Sequence, residues 1–288
     1  EIKMYLDIPQ ARAAIMNQAQ TFPDHPLGFD IGGTLESVRN IQRQDIVDYF
    51  SEHYSPENII ISVAGNPKDN NWLEMIKRDF GGLKKAPIKP YEPFDKKKFS
   101  PSAKQQVKDV DQANFFIAFP AIAKPDKRRY VLNLMDIIFG SGASSRLYIE
   151  LREKRGLGYD IGSGINAYLD SGSFYVYGGV KKQNLEKTLD LVIQEAKKFV
   201  KEGPTDDELI RAKGNIRGTI TRQMENSPAI ADYLAGSLYY QGKILKIEET
   251  VALYEAVTKE EIQALAKDIF DPQKAIISVV GPRKYNLS

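Results

Sequence analysis

The sequence predicts an α+β protein in which one sheet-and-helix domain occurs twice, the first copy truncated and the second complete. The first observation behind this is a gapless internal match. Ile41 to Gly65, IQRQDIVDYFSEHYSPENIIISVAG, aligns with Val257 to Gly281, VTKEEIQALAKDIFDPQKAIISVVG, at a constant offset of 216 residues. Pro56 falls on Pro272, Tyr54 on Phe270, Ile60-Ile61-Ser62-Val63 on Ile276-Ile277-Ser278-Val279, and Gly65 on Gly281. Both copies read as a helix, a proline turn and a buried β-branched strand ending in glycine. The second observation is the downstream mixture of hairpins and paired helices, which favours α+β over a doubly wound parallel sheet. The third is positional. The strand ending at Gly281 closes a unit that begins near Gln105, so the matching start of the first copy would fall about 110 residues before Glu1.

Taken in order, residues 1–20 read as a helix with Met4, Ile8, Ile15 and Ala19 on one apolar face, Pro9 interrupting it or setting its start. TFPDHPLGFDIGGT at 21–34 reads as loop. The repeated helix and strand follow, then a short amphipathic helix from Trp72 to Phe80. Pro87, Pro90, Pro93 and Pro101 alternate with lysines and aromatics in a semi-rigid linker. Strands are expected at Gln105–Asp109 and Asn114–Pro120, helices from Asp126 to Phe139 and Arg146 to Lys154, and a hairpin at 158–168 and 172–180 turning at Asp170-Ser171-Gly172. Helices at 183–201, 205–224, 228–240 and 247–256 precede the repeated unit. Thr205 with Glu208, and Thr258 with Glu261, have capping-box spacing. The chain therefore divides into 1–80 (the C-terminal part of the first domain), 81–103 (the Pro-rich linker) and 104–288 (a complete second domain).

Composition narrows the chemistry. Forty Lys and Arg stand against 38 Asp and Glu, without the strongly basic balance of a nucleic-acid binder. There is no cysteine, which removes disulfides and thiolate catalysis. No apolar run approaches the roughly 18–20 residues of a membrane span. The sequence shows no signal-peptide pattern at its start, and a cytoplasmic location is the expectation. The two histidines, His25 and His53, form no H-x-x-x-H or H-x-x-E-H motif, so a zinc site built from this chain alone is not expected.

The informative stretch is Gly140 to Gly164, GSGASSRLYIELREKRGLGYDIGSG. Its Gly/Ser turn lacks the G-x-x-x-x-G-K-[ST] spacing of a phosphate cradle, and Ser144 or Ser145 reads better as a helix N-cap. Arg152 lies on the helix and Tyr159 begins the next strand, with a Gly-Leu-Gly turn between. A guanidinium and a phenol brought together there are donors suited to a peptide carbonyl or a developing oxyanion. The residues alone favour a surface arginine and a half-buried strand tyrosine over such a site.

Leu151-Arg152 through Leu157 and Tyr159 resembles the L-R-x-x-x-x-L-x-Y signature in the C-terminal half of pitrilysin-type zinc metallopeptidases, the family of insulysin and the mitochondrial processing peptidase. HPLGFDIGGTLESV near residue 25, YSPENIIISVAGN at 54–66, DSGSFYVYGGV at 170–180 and TDDELIRAKG at 205–214 extend the resemblance across nearly the whole chain. It implies two homologous metallopeptidase-type α/β sandwich domains that enclose unfolded peptides. The first carries H-x-x-E-H, two histidine zinc ligands with the glutamate as general base, and a third glutamate ligand about 75 residues further on. The second supplies the Arg/Tyr pair, roles that would fall on Arg152 and Tyr159. EIKMYLDIP matches the context of the third ligand, so Glu1 takes that position, while H-x-x-E-H is absent from this sequence.

The resemblance thus implies a zinc metalloendopeptidase of which this chain is the C-terminal, substrate-clamping portion, inactive alone. Zinc belongs to the intact protein rather than to this chain. The implied partners are a peptide or unfolded substrate, a missing N-terminal region or a zinc-bearing partner chain, and a second copy in a homodimer. The alternative is a non-catalytic peptide-binding or structural partner of a related peptidase. His25 is expected in a loop and His53 in a packing role. Tyr168, Phe174, Tyr175 and Tyr177 are expected mainly in the core, with one face able to line a peptide chamber.

Overall fold

A computed structural model describes residues 1–66 and 71–287, and the side chain of Tyr159 lies outside the described set. Pro9 splits the first helical stretch, since its ring fixes φ and removes an N–H that the first turn does not need. The result is α1 (Ile2–Asp7) and α2 (Pro9–Thr21). Then come α3 (Leu35–Asn40), α4 (Arg43–His53) and α5 (Trp72–Phe80). Strands β1 (Ser102–Val107) and β2 (Gln112–Ala121) lead into α6 (Arg129–Phe139), and the expected hairpin forms as β3 (Gly158–Ala167) and β4 (Gly172–Lys181). The chain ends with α7 (Leu185–Glu202), α8 (Asp206–Gln223), α9 (Ser227–Gln241), α10 (Ile247–Glu255), α11 (Lys259–Ile269) and β5 (Ile276–Gly281). Both capping boxes close. Thr205 N–H donates to Glu208 Oε2 at 2.8 Å and Glu208 N–H to Thr205 Oγ1 at 3.2 Å; Thr258 and Glu261 do the same at 2.9 and 3.2 Å.

The five strands form one mixed sheet, ordered β1-β5-β2-β4-β3. β1 and β5 are parallel, the other neighbours antiparallel. β2 sits at the centre, and its run Phe115-Phe116-Ile117-Ala118-Phe119 is buried on both faces. One face packs on α6, α7 and α11 through a ring cluster. Phe270 lies 4.6 Å from Phe139 and 5.2 Å from Phe174, and Phe139 lies 5.6 Å from Phe199. This is the α+β architecture, a sheet packed by helices, that the sequence predicts.

The opposite face carries α2, and here the helix pattern misleads. Met4 and Ile8 are exposed, as is Ala19. The buried face of α2 is Ala13, Asn17, Gln20 and Thr21. Asn17 Nδ2 donates to the Ile276 carbonyl at 2.9 Å, and Gln20 Nε2 donates to the Ile277 carbonyl at 3.2 Å and to Ser278 Oγ. Buried amides are stable when hydrogen-bonded, and the strand backbone supplies the partners.

By contacts the chain forms two units. One comprises Glu1–Gly33, Phe94–Ile216 and the residues from Val251 onward; the other comprises Thr34–Pro93 and Arg217–Thr250. The repeat offset of 216 carries 1–33 onto 217–249, and each of these segments clusters with residues of the other copy. These units cut the chain differently from 1–80, 81–103 and 104–288, because the sequence segments follow duplication and the units follow packing.

Element by element the repeat holds for helix and turn. α4 matches α11, and the 3₁₀ turn Pro56–Asn58 matches Pro272–Lys274. It fails for the strand. Ile59 to Ala64 form no strand, and Ile60, Ile61 and Val63 are exposed. A strand needs a hydrogen-bonded neighbour, and among the described residues none pairs with this segment. The buried strand expected at Ile60–Val63 is therefore corrected to an exposed segment outside the sheet.

Candidate functional site

α6 ends at Phe139, and the Gly140–Ser144 turn leads into a helix capped by Ser145. Ser145 Oγ accepts from the Tyr148 N–H at 3.4 Å and donates to the Gly142 carbonyl at 2.7 Å. Of the two serines proposed as cap, Ser145 fills the role. From Tyr148 to Glu153 this helix widens into a π-turn, with Lys154 N–H bonded to the Ile149 carbonyl at 3.0 Å. The chain then reverses at Gly156, whose φ of +62° suits glycine. Gly156 N–H bonds the Arg152 carbonyl and Leu157 N–H the Leu151 carbonyl, both at 2.9 Å. β3 starts at Gly158, and its register against β4 slips by one residue between Gly158 and Asp160, which puts Tyr159 in a β-bulge.

Arg152 thus sits in a π-turn and Tyr159 in a bulge, joined by a turn of a few residues. Both irregularities are enriched at functional sites because they re-aim side chains from the regular lattice. Arg152 is half-buried, with its guanidinium carbon 4.8 Å above the Tyr148 ring. Glu1 is exposed at the N-cap of α1 and makes no side-chain cap bond.

Arg146 anchors the start of this helix. Its Nε and Nη2 donate to the Glu208 carboxylate at 2.7 and 2.8 Å, and Nη2 also donates to the Gly203 carbonyl at 2.7 Å. Glu195 lies 3.7 Å from Nη1, and the guanidinium carbon stacks 4.6 Å over Phe199. Arg146→Ala strands two mostly buried carboxylates and is expected to cost about 3–5 kcal/mol, read by chemical denaturation, with Arg146→Met costing less.

Asp136 on α6 accepts a hydrogen bond from Ser163 Oγ on β3. Burial pushes its carboxyl up to about 6, against the downward pull of that bond. Its folded pKa lies above the unfolded value. The stabilising contribution is therefore complete below about pH 4 and is lost as pH rises through about 6. Asp136→Asn is expected to flatten the stability–pH profile across that window and to stabilise the protein at neutral pH by about 1–3 kcal/mol, read by thermal melts over a pH series.

On the α2 side of the sheet lies a cavity of about 760 Å³. Its floor is aromatic: Phe116, Tyr175 and Tyr177, with Tyr168 at one end. Tyr175 and Tyr177 lie over Gly164 and Gly162 of β3; a Cβ at Gly164 would meet the Tyr175 phenol at 2.5 Å, and one at Gly162 would press on Tyr177 at 3.0 Å. Burial first, and the Asp136 charge second, push the Tyr175 hydroxyl up, so it remains a donor. Phe174 faces the helix-side core instead. The polar rim includes Gln10, which donates to Asp160 at 2.7 Å, and Gln18, which donates to Tyr168 Oη at 2.7 Å. Sequence reasoning missed these glutamines because they belong to the other copy; the signal available was the amide run Asn17-Gln18-Gln20 within a helix.

Among the described residues no group of three His, Cys, Asp or Glu side chains could hold a metal ion. His25 is buried, accepts the Leu27 N–H at Nδ1 (3.1 Å) and meets Phe94 edge-on at 5.3 Å. His53 packs on Tyr49 at 4.2 Å. No described helix is long and apolar enough to cross a membrane.

Residues 40–216 match the family model described as the peptidase M16 inactive domain. An uncharacterized zinc protease of Streptomyces coelicolor is 28% identical over 269 residues, 91% of this chain and 58% of that protein. One from Mycobacterium leprae is 29% identical over 287 residues, 98% of this chain and 64% of that protein. The chain therefore spans about three-fifths of the length of these relatives. The crystal structure of a peptidase M16 inactive domain from Pseudomonas fluorescens superposes with a TM-score of 0.83 at 20% identity, covering 99% of this chain and 69% of that one. The family model covers more than half of the 288 residues, and the chain belongs to the peptidase M16 family.

Proposed function

We propose that this chain is the substrate-clamping portion of a zinc-dependent endopeptidase, with Arg152 and Tyr159 holding the peptide carbonyl that is to be cleaved. The observation that carries the reading is the coincidence of two backbone irregularities, a π-turn at Arg152 and a bulge at Tyr159, on either side of one tight reversal. A guanidinium and a phenol are both donors, and donors fixed before the reaction stabilise an oxyanion without reorganising. The aromatic cavity beside β3 gives an extended apolar peptide a surface to lie on.

The relatives' designation as zinc proteases supports zinc in the intact protein. Its ligands would be Glu1 together with residues outside this chain, or residues of a partner chain. Metal supplies Lewis acidity and an activated water in such enzymes; the part played by this chain is to orient the substrate. Open apolar positions on α4, including Ile46 and Phe50, fit a first-copy body that completes the second unit. A non-catalytic partner subunit is the second reading, supported by the description of the matched family model as an inactive domain.

The test uses the intact protein. Arg152→Ala and Tyr159→Phe should each lower peptide turnover while zinc stays stoichiometric. Unchanged turnover in both variants would sink the clamp; loss of zinc would mean their roles are misassigned.

A further inference from the structure

A second cavity, of about 350 Å³, opens where β3 ends and α6 begins. Two half-buried cations, Lys124 and Arg129, line it together with Asn166 and Tyr168, and no carboxylate is among its lining residues. Arg129 is held in place by its neighbour. Its Nη2 donates to Tyr130 Oη at 2.5 Å, and its guanidinium carbon sits 4.4 Å over the Tyr130 ring. One bond of this kind leaves further guanidinium N–H groups of the planar fork for a ligand. The Lys124 backbone is pinned too, its N–H donating to the Tyr168 carbonyl at 2.7 Å. Tyr168 Oη accepts from Gln18, so its own proton is there to give.

Asn166 and Tyr168 also line the 760 Å³ aromatic cavity, so the two cavities share a wall. Cations in a cavity whose lining includes no carboxylate favour an oxyanion, and the planar Arg129 fork suits a carboxylate. The adjoining cavity is mostly apolar but contains Asp30 and Asp160 at its rim, which disfavours a ligand with several negative charges. A single carboxylate attached to an apolar side chain matches both halves.

We propose that Lys124 and Arg129 bind the C-terminal carboxylate of a peptide whose last side chain enters the aromatic cavity. This rests on the reading of the chain as a peptide-binding portion, and it adds an end-recognition site separate from the Arg152–Tyr159 clamp. The experiment is fluorescence anisotropy on the intact protein, with chelator present so that no turnover occurs. Two labelled peptides are compared, both ending in phenylalanine, one with a free carboxylate and one amidated. The free acid should bind roughly tenfold more tightly. Arg129→Gln and Lys124→Gln should each reduce that preference and leave the affinity for the amide unchanged. Arg129→Lys, which keeps the charge and loses the fork, should retain part of the preference and serves if the Gln variant fails to fold. Inorganic phosphate at millimolar concentration should not abolish the acid's advantage; if it does, the site takes free oxyanions and the peptide assignment falls. Equal binding of acid and amide overturns this inference alone. Failure of both peptides to bind overturns the peptide-binding reading on which it rests.

Discussion

Ile262→Ala is expected to cost about 2–5 kcal/mol of stability, while Ile46→Ala, the same position in the other copy, costs under about 0.5 kcal/mol in the 288-residue chain. The two residues occupy matched places on α11 and α4, with matched helix bounds. Ile262 is 0% exposed in the face that α11 packs on α6 and α7, whereas Ile46 is 62% exposed. The next residues along each stripe repeat the contrast: Leu265 and Ala266 are buried, Tyr49 and Phe50 exposed. An apolar helix stripe stabilises only to the extent that something removes it from water. Chemical denaturation of the two variants reads the difference. In the intact protein the proposed first-copy body would cover α4, and Ile46→Ala should then approach the cost of Ile262→Ala. A large cost for Ile46→Ala in the 288-residue chain would contradict this account of the face.

Arg152→Ala in the intact protein is expected to lower kcat/KM for peptide hydrolysis by about 10²–10³, the usual consequence of removing one oxyanion donor. The loss should fall on kcat as much as on kcat/KM, because the donor matters most where negative charge develops. Arg152→Lys should recover only part of it, since a point charge does not replace a planar fork. Zinc content, measured alongside, should not change. Global stability should fall less than in Arg146→Ala, because Arg152 is half-buried over Tyr148 whereas Arg146 bridges two mostly buried carboxylates.

Much of this was legible in the residues. The repeat located α4 and α11 because a 3.6-residue apolar stripe, a proline turn and a β-branched run leave the same marks in both copies. The hairpin announced itself through alternation and Asp170-Ser171-Gly172. The capping boxes could be read from spacing alone, since their bonds are local. What could not be read depends on partners distant in sequence. Ile60 to Val63 have the composition of a central strand, but a strand also needs neighbours to pair with. The buried face of α2 is made of Asn17 and Gln20, which periodicity counts as solvent-facing; they are stable because β5 presents carbonyls and Ser278 to them. Arg152 and Tyr159 were found through the resemblance. The π-turn and bulge that hold them are backbone hydrogen-bond patterns with no residue code. The cationic cavity at Lys124 and Arg129 went unnoticed because its walls come from a strand end, a helix start and a loop well separated in the chain.

The most direct test of the central claim is hydrolysis of a quenched fluorescent peptide, with and without chelator, by the 288-residue chain and by the intact protein. The account predicts chelator-sensitive turnover by the intact protein and none by the 288-residue chain. Chelator-sensitive turnover by the 288-residue chain alone would contradict it.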